Sequence, residues 1–513
     1  MNKSRIFLIL SLSFIGGVFG RSFFDIDDSW FYIFAIITVI LLSVFWKNKL
    51  AVVAAFSFLF LALGIWRTEA DLIKLNNLNL NGQTFSGRVI VAKEPEGKEN
   101  YLKIIFYPTP SQSPPRAGGE DFNLKIMANA PLHSGINYGD EIKVNCVLKI
   151  PENHKVILNE VKNPVNNSGS FANTQDDSSF DYRMYLAKDG IYYICEKAKI
   201  EKTGENKGNK IYLSILKLKN NLEENINKVI PEPEAALAKG LIIGGSSGLP
   251  KKVQENFSKT GMSHIVAVSG YNVTIIAEYL IWFFIFIGFW RKQAFWFAIL
   301  GIIIFVAMIG FPSSAVRAGV MGGLLLWAMK NGRLANSYNA IIFAGAVMLL
   351  INPLALRWDI GFQLSFLAAL GIIALAPFWE KYFIKRNKAM GFSEIFFLSL
   401  SAQIFVMPII FYNFHIFSSV SLIANLLVLP LIPLSMLLVF LVAAFGLIST
   451  LFSLPFAWLA YMPLKYEIWI INALAGLNWS SREVQNFGWS KIILWYIILS
   501  GLVFFLRKRE KII

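Results

Sequence analysis

Apolar residues in this chain gather into long unbroken runs, and one polar block at 67–230 separates the first runs from the rest. Runs at 30–46, 50–66, 264–290, 295–310, 313–329, 360–379, 392–412 and 489–506 each approach or exceed the roughly 20 residues that cross about 30 Å of hydrocarbon. Two more, at 6–20 and 338–351, are shorter, and 419–447 is longer than one span needs, with Pro430 and Pro433 predicting a break into a hairpin. The stretch 455–477 carries Lys465 and Glu467, and is either a span or an amphipathic helix in the interface. The pattern therefore predicts a polytopic α-helical membrane protein with about 11–12 spans.

The polar block follows another rhythm. Strand-like stretches at 83–92, 101–107, 122–128, 140–150 and 190–201 are separated by turn residues, and 182–188 reads as a helix between two of them. Five short strands in a segment of this size predict a small β-barrel of the OB type inserted between membrane segments. Two passages at 108–119 and 163–179 are rich in Ser, Asn, Pro and Gly and read as loops. Apolar and charged residues at helical spacing over 211–230 predict a helix on the outer membrane surface or packed on the barrel. Three parts result: 1–66 with N-terminal membrane helices, 67–230 as an extracytoplasmic domain, and 231–513 as the main bundle.

Composition agrees with that division, since 55% of residues are hydrophobic and only 16% are charged, less charge than a soluble chain of this size carries. With the N-terminus placed inside, sixteen Lys and Arg flank the inner ends of the spans, against three (Arg21, Arg357, Arg482) in the short outer loops. Both termini are then expected on the cytoplasmic side of the cytoplasmic membrane, with 67–230 outside. The net charge of +15 reflects these orienting residues; 67–230 holds 22 basic and 20 acidic residues, so charge alone gives no argument for nucleic acid. Lys3 and Arg5 precede the first run, but 17–21 offers no small-x-small cleavage site, which predicts an uncleaved anchor. Cys146 and Cys195 both fall in the outer domain, where an oxidising compartment permits a bridge; two buried thiols are the alternative.

The stretch TGMSHIVAVSGYNVTIIA at 260–277 enters an apolar segment with His264, Ser269, Gly270 and Asn272 aboard. Polar groups at that depth are costly in lipid and face either a protein interior or a watery path. Ser269 and Asn272, three apart, share a helical face; they either guide a polar polymer or hydrogen-bond between helices. Gly244, Ser246, Ser247 and Gly248 belong to a glycine-rich break that is either a pore-lining loop or an external turn. Glu278 and Arg317 are charges within spans. They either pair with each other, or Arg317 faces a pore and meets phosphate. Gln363 and Ser365, two apart, lie on different helix faces.

Several words of the sequence resemble the ComEC family, the inner-membrane DNA-uptake channels of bacterial competence. They are LIIGGSSGL at 241–249, FSKTGMSH at 257–264, VSGYNV at 268–273, SSAVRA at 313–318, DIGFQLSFLA at 359–368 and NLLVLP at 425–430. In the outer domain, FDYRMYL at 180–186 with Gly190 and Ile191 looks like the family's N-terminal domain. The family often has an acidic-basic pair where Gly245 and Ser246 stand, and His where Asn272 stands. Longer members carry a metallo-β-lactamase-like domain; this chain ends at Ile513 with four histidines and no ligand cluster, so no nuclease activity is carried over.

The resemblance implies translocation of single-stranded DNA during natural transformation, without an enzymatic step or a cofactor. It implies a DNA receptor outside, an ATP-driven or DNA-binding protein inside, contact with membrane lipid, and leaves room for a homo-oligomer. The residues proposed to face the DNA path are Gly244, Ser246, Ser247, Gly248, His264, Ser269, Gly270, Asn272, Glu278, Arg317, Gln363 and Ser365. Tyr101, Phe106 and Tyr107 are candidate base-stacking residues or core. No Walker A motif is visible, so the motive force comes from elsewhere. The other function classes are a secondary transporter with Glu278 and Arg317 as coupling charges, and, last, a membrane enzyme.

Overall fold

The computed structural model describes residues 3–26, 29–76, 80–97, 101–108, 124–151, 181–244, 248–330, 337–384, 390–484 and 487–512. Two compact units account for them: the described parts of Met1–Val161, Ser168–Lys217 and Ala346–Asp359, and those of Leu218–Gly345 and Ile360–Ile513.

The first unit opens with α1 (Lys3–Phe23), α2 (Ser29–Phe45) and α3 (Lys49–Asn76). Helices α1 and α3 cross where Gly17 meets Gly64; a methyl on Gly17 would run into the Leu61 carbonyl. Small residues let helix backbones approach this closely where lipid supplies no hydrophobic drive to pack them. Arg21 on α1 pairs with Glu69 on α3.

After α3 come β1 (Thr84–Val91), β2 (Glu96–Gly97), β3 (Leu102–Pro108), β4 (Lys125–Ala130), β5 (Asp140–Lys149), α4 (Tyr182–Ala187) and β6 (Ile191–Asn206). Alternation produces these strands: every second residue of β1 is buried from Phe85 to Val91. The strand order is β1-β5-β6-β4-β3-β2, antiparallel except for the parallel pair β4–β6, and β1 also pairs with β3 through Val89–Val91. Val89, Ile104, Phe106, Ile126, Ile142, Val144 and Tyr193 fill the interior, and the disulfide between Cys146 and Cys195 lies among them. Phe106 is fully buried. It is a core residue, not the base-stacking platform considered from sequence, because β3 turns it into the same interior as Ile104. The expected loop at 163–179, and 109–119 of the other, lie outside the described residues.

Just past the end of β6, Lys207 Nζ sits 2.7 Å from Glu141 Oε1 on β5. The Lys207 hydrogen bond holds the Glu141 carboxyl below the usual carboxylate range, against the opposing effect of burial. A carboxylate depressed in the folded state contributes stability that is present above its unfolded pKa and lost as pH falls through its folded one. Glu141→Gln is therefore expected to lower stability at neutral and alkaline pH, where the carboxylate contributes it, and to flatten the acid slope, so that variant and wild type converge at low pH. A profile measured by thermal melting that kept its acid slope in the variant would contradict this assignment.

The second unit contains the C-terminal part of α5 (Lys210–Val229), then α6 (Glu234–Ile242), α7 (Lys251–Lys259), α8 (Ser263–Val266), α9 (Gly270–Phe286), α10 (Arg291–Met308) and α11 (Ser313–Lys330). Helix α12 (Ser337–Ile351) crosses the division, and α13 (Ala355–Trp358) belongs to the first unit, where Arg67 donates to the Leu350 and Ile351 carbonyls that end α12. The second unit continues with α14 (Ile360–Trp379), α15 (Met390–Phe414), β7 (Ile416–Ser418), α16 (Ser421–Val428), α17 (Ile432–Gly446), α18 (Thr450–Ala475), β8 (Ser481–Glu483) and α19 (Trp489–Ile512).

Among the described residues six helices are long and apolar enough to cross a membrane, or seven if the bent pair α16–α17 is one span. This is fewer than the sequence runs predict. Three apolar helices, Ser29–Phe45, Gly270–Phe286 and Ser337–Ile351, are shorter than a span by that measure. The run at 264–290 is not one helix, because it is divided into α8, an extended link at Ala267–Ser269, and α9. The run at 419–447 bends by 52° between α16 and α17 rather than reversing as a hairpin. Residues 455–475 lie in the single helix α18, with Pro455 and Pro463 inside it.

Candidate functional site

The region from 234 to 272 is a chain of short helices, and its breaks have local causes. Helix α6 ends at Gly244, whose φ of +82° suits glycine, and a methyl there would lie 2.8 Å from Val268 Cγ2. Gly248 follows after Ser246 and Ser247, which lie outside the described residues. Pro250 then leads into α7. Gly261, at φ +71°, carries the chain from α7 into α8, and a methyl there would come within 2.9 Å of Ser421 Cβ on α16.

Helix α9 begins at the link's end. Ser269 is its N-cap, accepting from the Asn272 backbone N–H at 3.3 Å, while its hydroxyl donates to Asn272 Oδ1 at 3.0 Å. The Asn272 side chain, 1% exposed, donates to the Leu241 carbonyl in the last turn of α6 at 3.3 Å. Ser314, at the start of α11, donates to the Val268 carbonyl at 2.6 Å. Side chains thus tie α6, the extended link, α9 and α11 together at one place. The link's backbone is held without helical hydrogen bonds, and that is tolerated at membrane depth only where protein or water surrounds it.

Arg317 reaches this same place from α11. Its Nε donates to Ser365 Oγ on α14 at 2.7 Å, its Nη1 lies 3.6 Å from Met321 Sδ, and Nη2 lies so close over Gly270 that a methyl there would be 2.7 Å away. No acidic side chain pairs with it among the described residues. The pairing with Glu278 considered from sequence is not formed. Glu278 lies two turns along α9 on its exposed side, beyond the reach of the guanidinium. The first turn of α9 directs its amide groups and the positive end of its dipole to the spot where the Arg317 charge sits. Such a combination favours an anion.

Of the residues selected from sequence, Ser269, Gly270, Asn272, Arg317 and Ser365 are brought together, with Gly244 against Val268 beside them. His264 is apart from this cluster on α8, exposed, with its Nδ1 3.0 Å from the Gly261 carbonyl. Gln363 lies on α14, two residues before Ser365. Sequence inspection passed over Ser314, although its place beside Arg317 in one short word was a usable signal. The sequence carries no local sign of the hydrogen bond between Arg317 and Ser365, whose partners lie 48 residues apart.

These residues fall in one block of similarity to known proteins. A family model described as Competence protein matches residues 241–509, just over half of the chain. The chain belongs to the ComEC family of competence proteins. ComE operon protein 3 of Bacillus subtilis (strain 168) is 28% identical to it over 290 residues, which are 55% of this chain and 36% of that protein. The chain therefore spans about a third of the length of the curated relative it matches. No solved structure matches. All the clustered residues of the site, from Gly244 to Ser365, lie within the family-matched block.

Proposed function

We propose that this ComEC-family chain passes single-stranded DNA across the cytoplasmic membrane during natural transformation. The observation that carries the proposal is Arg317, a cation without an acidic partner among the described residues, set at the N-terminus of α9 inside the family-matched block. A guanidinium fork fits two phosphate oxygens, and Ser365 and Met321 fix its orientation while Nη2 stays turned toward Gly270. Ser269 and Asn272 hold the α9 terminus rigid, so backbone amides face the passing phosphates in register with that charge. Gly270 keeps the approach open, since any side chain there would meet the guanidinium. Ser246, Ser247, Gly248 and His264 are assigned to the same path on sequence grounds, with Glu278 and Gln363 further along it.

The outer sheet is proposed to be an OB-type barrel. Its support is the antiparallel pairing of β1 with β3 and the parallel pair β4–β6. Such barrels bind single strands, and Tyr101 and Tyr107 are only half-buried, whereas Phe106 is fully buried. The proposed topology has both termini inside and the barrel outside, where DNA is handed over from a receptor. An ATP-driven or DNA-binding protein takes the strand on the inner side. A secondary transporter of a small polar solute would need Glu278 and Arg317 as coupling charges, and their separation disfavours that alternative. DNA uptake by cells with and without the gene tests the proposal: the strand should stop outside in cells that lack it.

A further inference from the structure

Glu467 is the most deeply buried acidic side chain described in the second unit, at 1% exposure. It projects from α18 into the contact with α17. Ser435, itself fully buried on α17, donates its hydroxyl to Oε1 at 2.6 Å. The other oxygen, Oε2, is buried and has no hydrogen-bond partner. A carboxylate sealed this way, with one neutral donor and no cation, carries a solvation cost that proteins avoid by keeping the group neutral.

The neighbours supply no compensating charge. Helices α16 and α17 contain no titratable residue. Helix α6 carries Glu234 and Lys239, and Lys239 pairs with Glu232 at 3.2 Å. Helix α7 carries Lys251, Lys252, Glu255 and Lys259, and Asn256 on it donates to Asn472 of α18, five residues past Glu467. On α18 itself Lys465 turns away over the Tyr461 ring. None of these reaches Glu467. A metal cation would want several oxygen ligands. Here only the carboxyl and one hydroxyl are present, and no metal-binding group of acidic, histidine or cysteine side chains occurs among the described residues.

We propose that Glu467 is a proton-binding site within the competence domain: its carboxyl carries a proton while α17 and α18 are closed, and yields it to water, leaving a carboxylate, only when their packing opens. The site is connected to the translocation region. Two residues before Ser435, the Pro433 carbonyl accepts a hydrogen bond at 2.8 Å from the hydroxyl of Tyr279, which stands on α9. Helix α9 is the helix whose N-terminus faces Arg317. Movement of α17 that exposes Glu467 is thereby transmitted to α9. The protonation itself does not depend on which polymer or solute the protein carries.

Infrared spectroscopy of the full-length protein in lipid tests this directly. The wild-type minus Glu467→Gln difference spectrum at neutral pH should contain the carbonyl band of an un-ionised carboxylic acid. Carboxylate bands in its place would overturn the proposal. Should the variant fail to accumulate, the wild type alone suffices. Its spectrum at neutral pH should still contain a carboxylic-acid carbonyl band, and a neutral-pH spectrum with no such band would overturn the proposal.

Discussion

Replacing Arg317 with glutamine is expected to stop DNA uptake while the protein still inserts at its normal level. The guanidinium holds Ser365 at 2.7 Å and otherwise points across Gly270 without an acidic partner, so few internal bonds are lost when it goes. What is lost is a charge-assisted contact to phosphate, about 1.5–3 kcal/mol for each hydrogen bond, and each ~1.4 kcal/mol is a factor of ten. Arg317→Lys should recover part of the activity, because an ammonium keeps the charge but not the planar fork. The charge-swapped double variant Glu278→Arg/Arg317→Glu should stay inactive, since the two side chains do not pair. Labelled-DNA uptake set against immunoblots of membrane fractions reads all three variants. Restored uptake in the swap would show that the charges act as a pair and would remove the phosphate role.

Loss of the disulfide should produce the largest change in stability. The bridge joins Cys146 on β5 to Cys195 on β6, closing a separation of 49 residues. In the chain-entropy description such a loop contributes about 3–4 kcal/mol by restricting the unfolded chain. Both cysteines are buried in the sheet's interior beside Phe106 and Tyr193, so the double variant Cys146→Ala/Cys195→Ala also leaves small gaps there. Thermal melting of the purified protein should show the sheet domain destabilised by at least that amount. A variant as stable as the wild type would contradict the assignment.

The sheet domain was legible because β1 and β5 alternate between buried and exposed residues. Alternation at 83–92 and 140–150 foretold β1 and β5 to within a residue or so, and the turn residues marked their ends. Pairing was not legible: the contact between β1 and β3 joins residues that no periodicity links. In the bundle, hydropathy located the apolar helices but missed the interruption at Ala267–Ser269, since apolar residues flank it on both sides. The spacing of Ser269 and Asn272 was read as one helical face, yet the same spacing describes an N-cap, which is what they form. Arg317 stood out as a charge in an apolar run; its partner Ser365 did not, because tertiary packing alone brings the two together. The sequence leaves the stretch around Glu467 open between a span and an amphipathic helix, whereas α17 covers the side chain completely.

The central claim is that this chain carries DNA across the cytoplasmic membrane. Its most direct test follows labelled DNA in competent cells with and without the gene, separating nuclease-accessible DNA outside from protected DNA inside. Cells lacking the gene should bind DNA at the surface and accumulate none inside, and the wild-type gene supplied in trans should restore the protected fraction. Protected DNA at the normal level in the deletion cells would contradict the account.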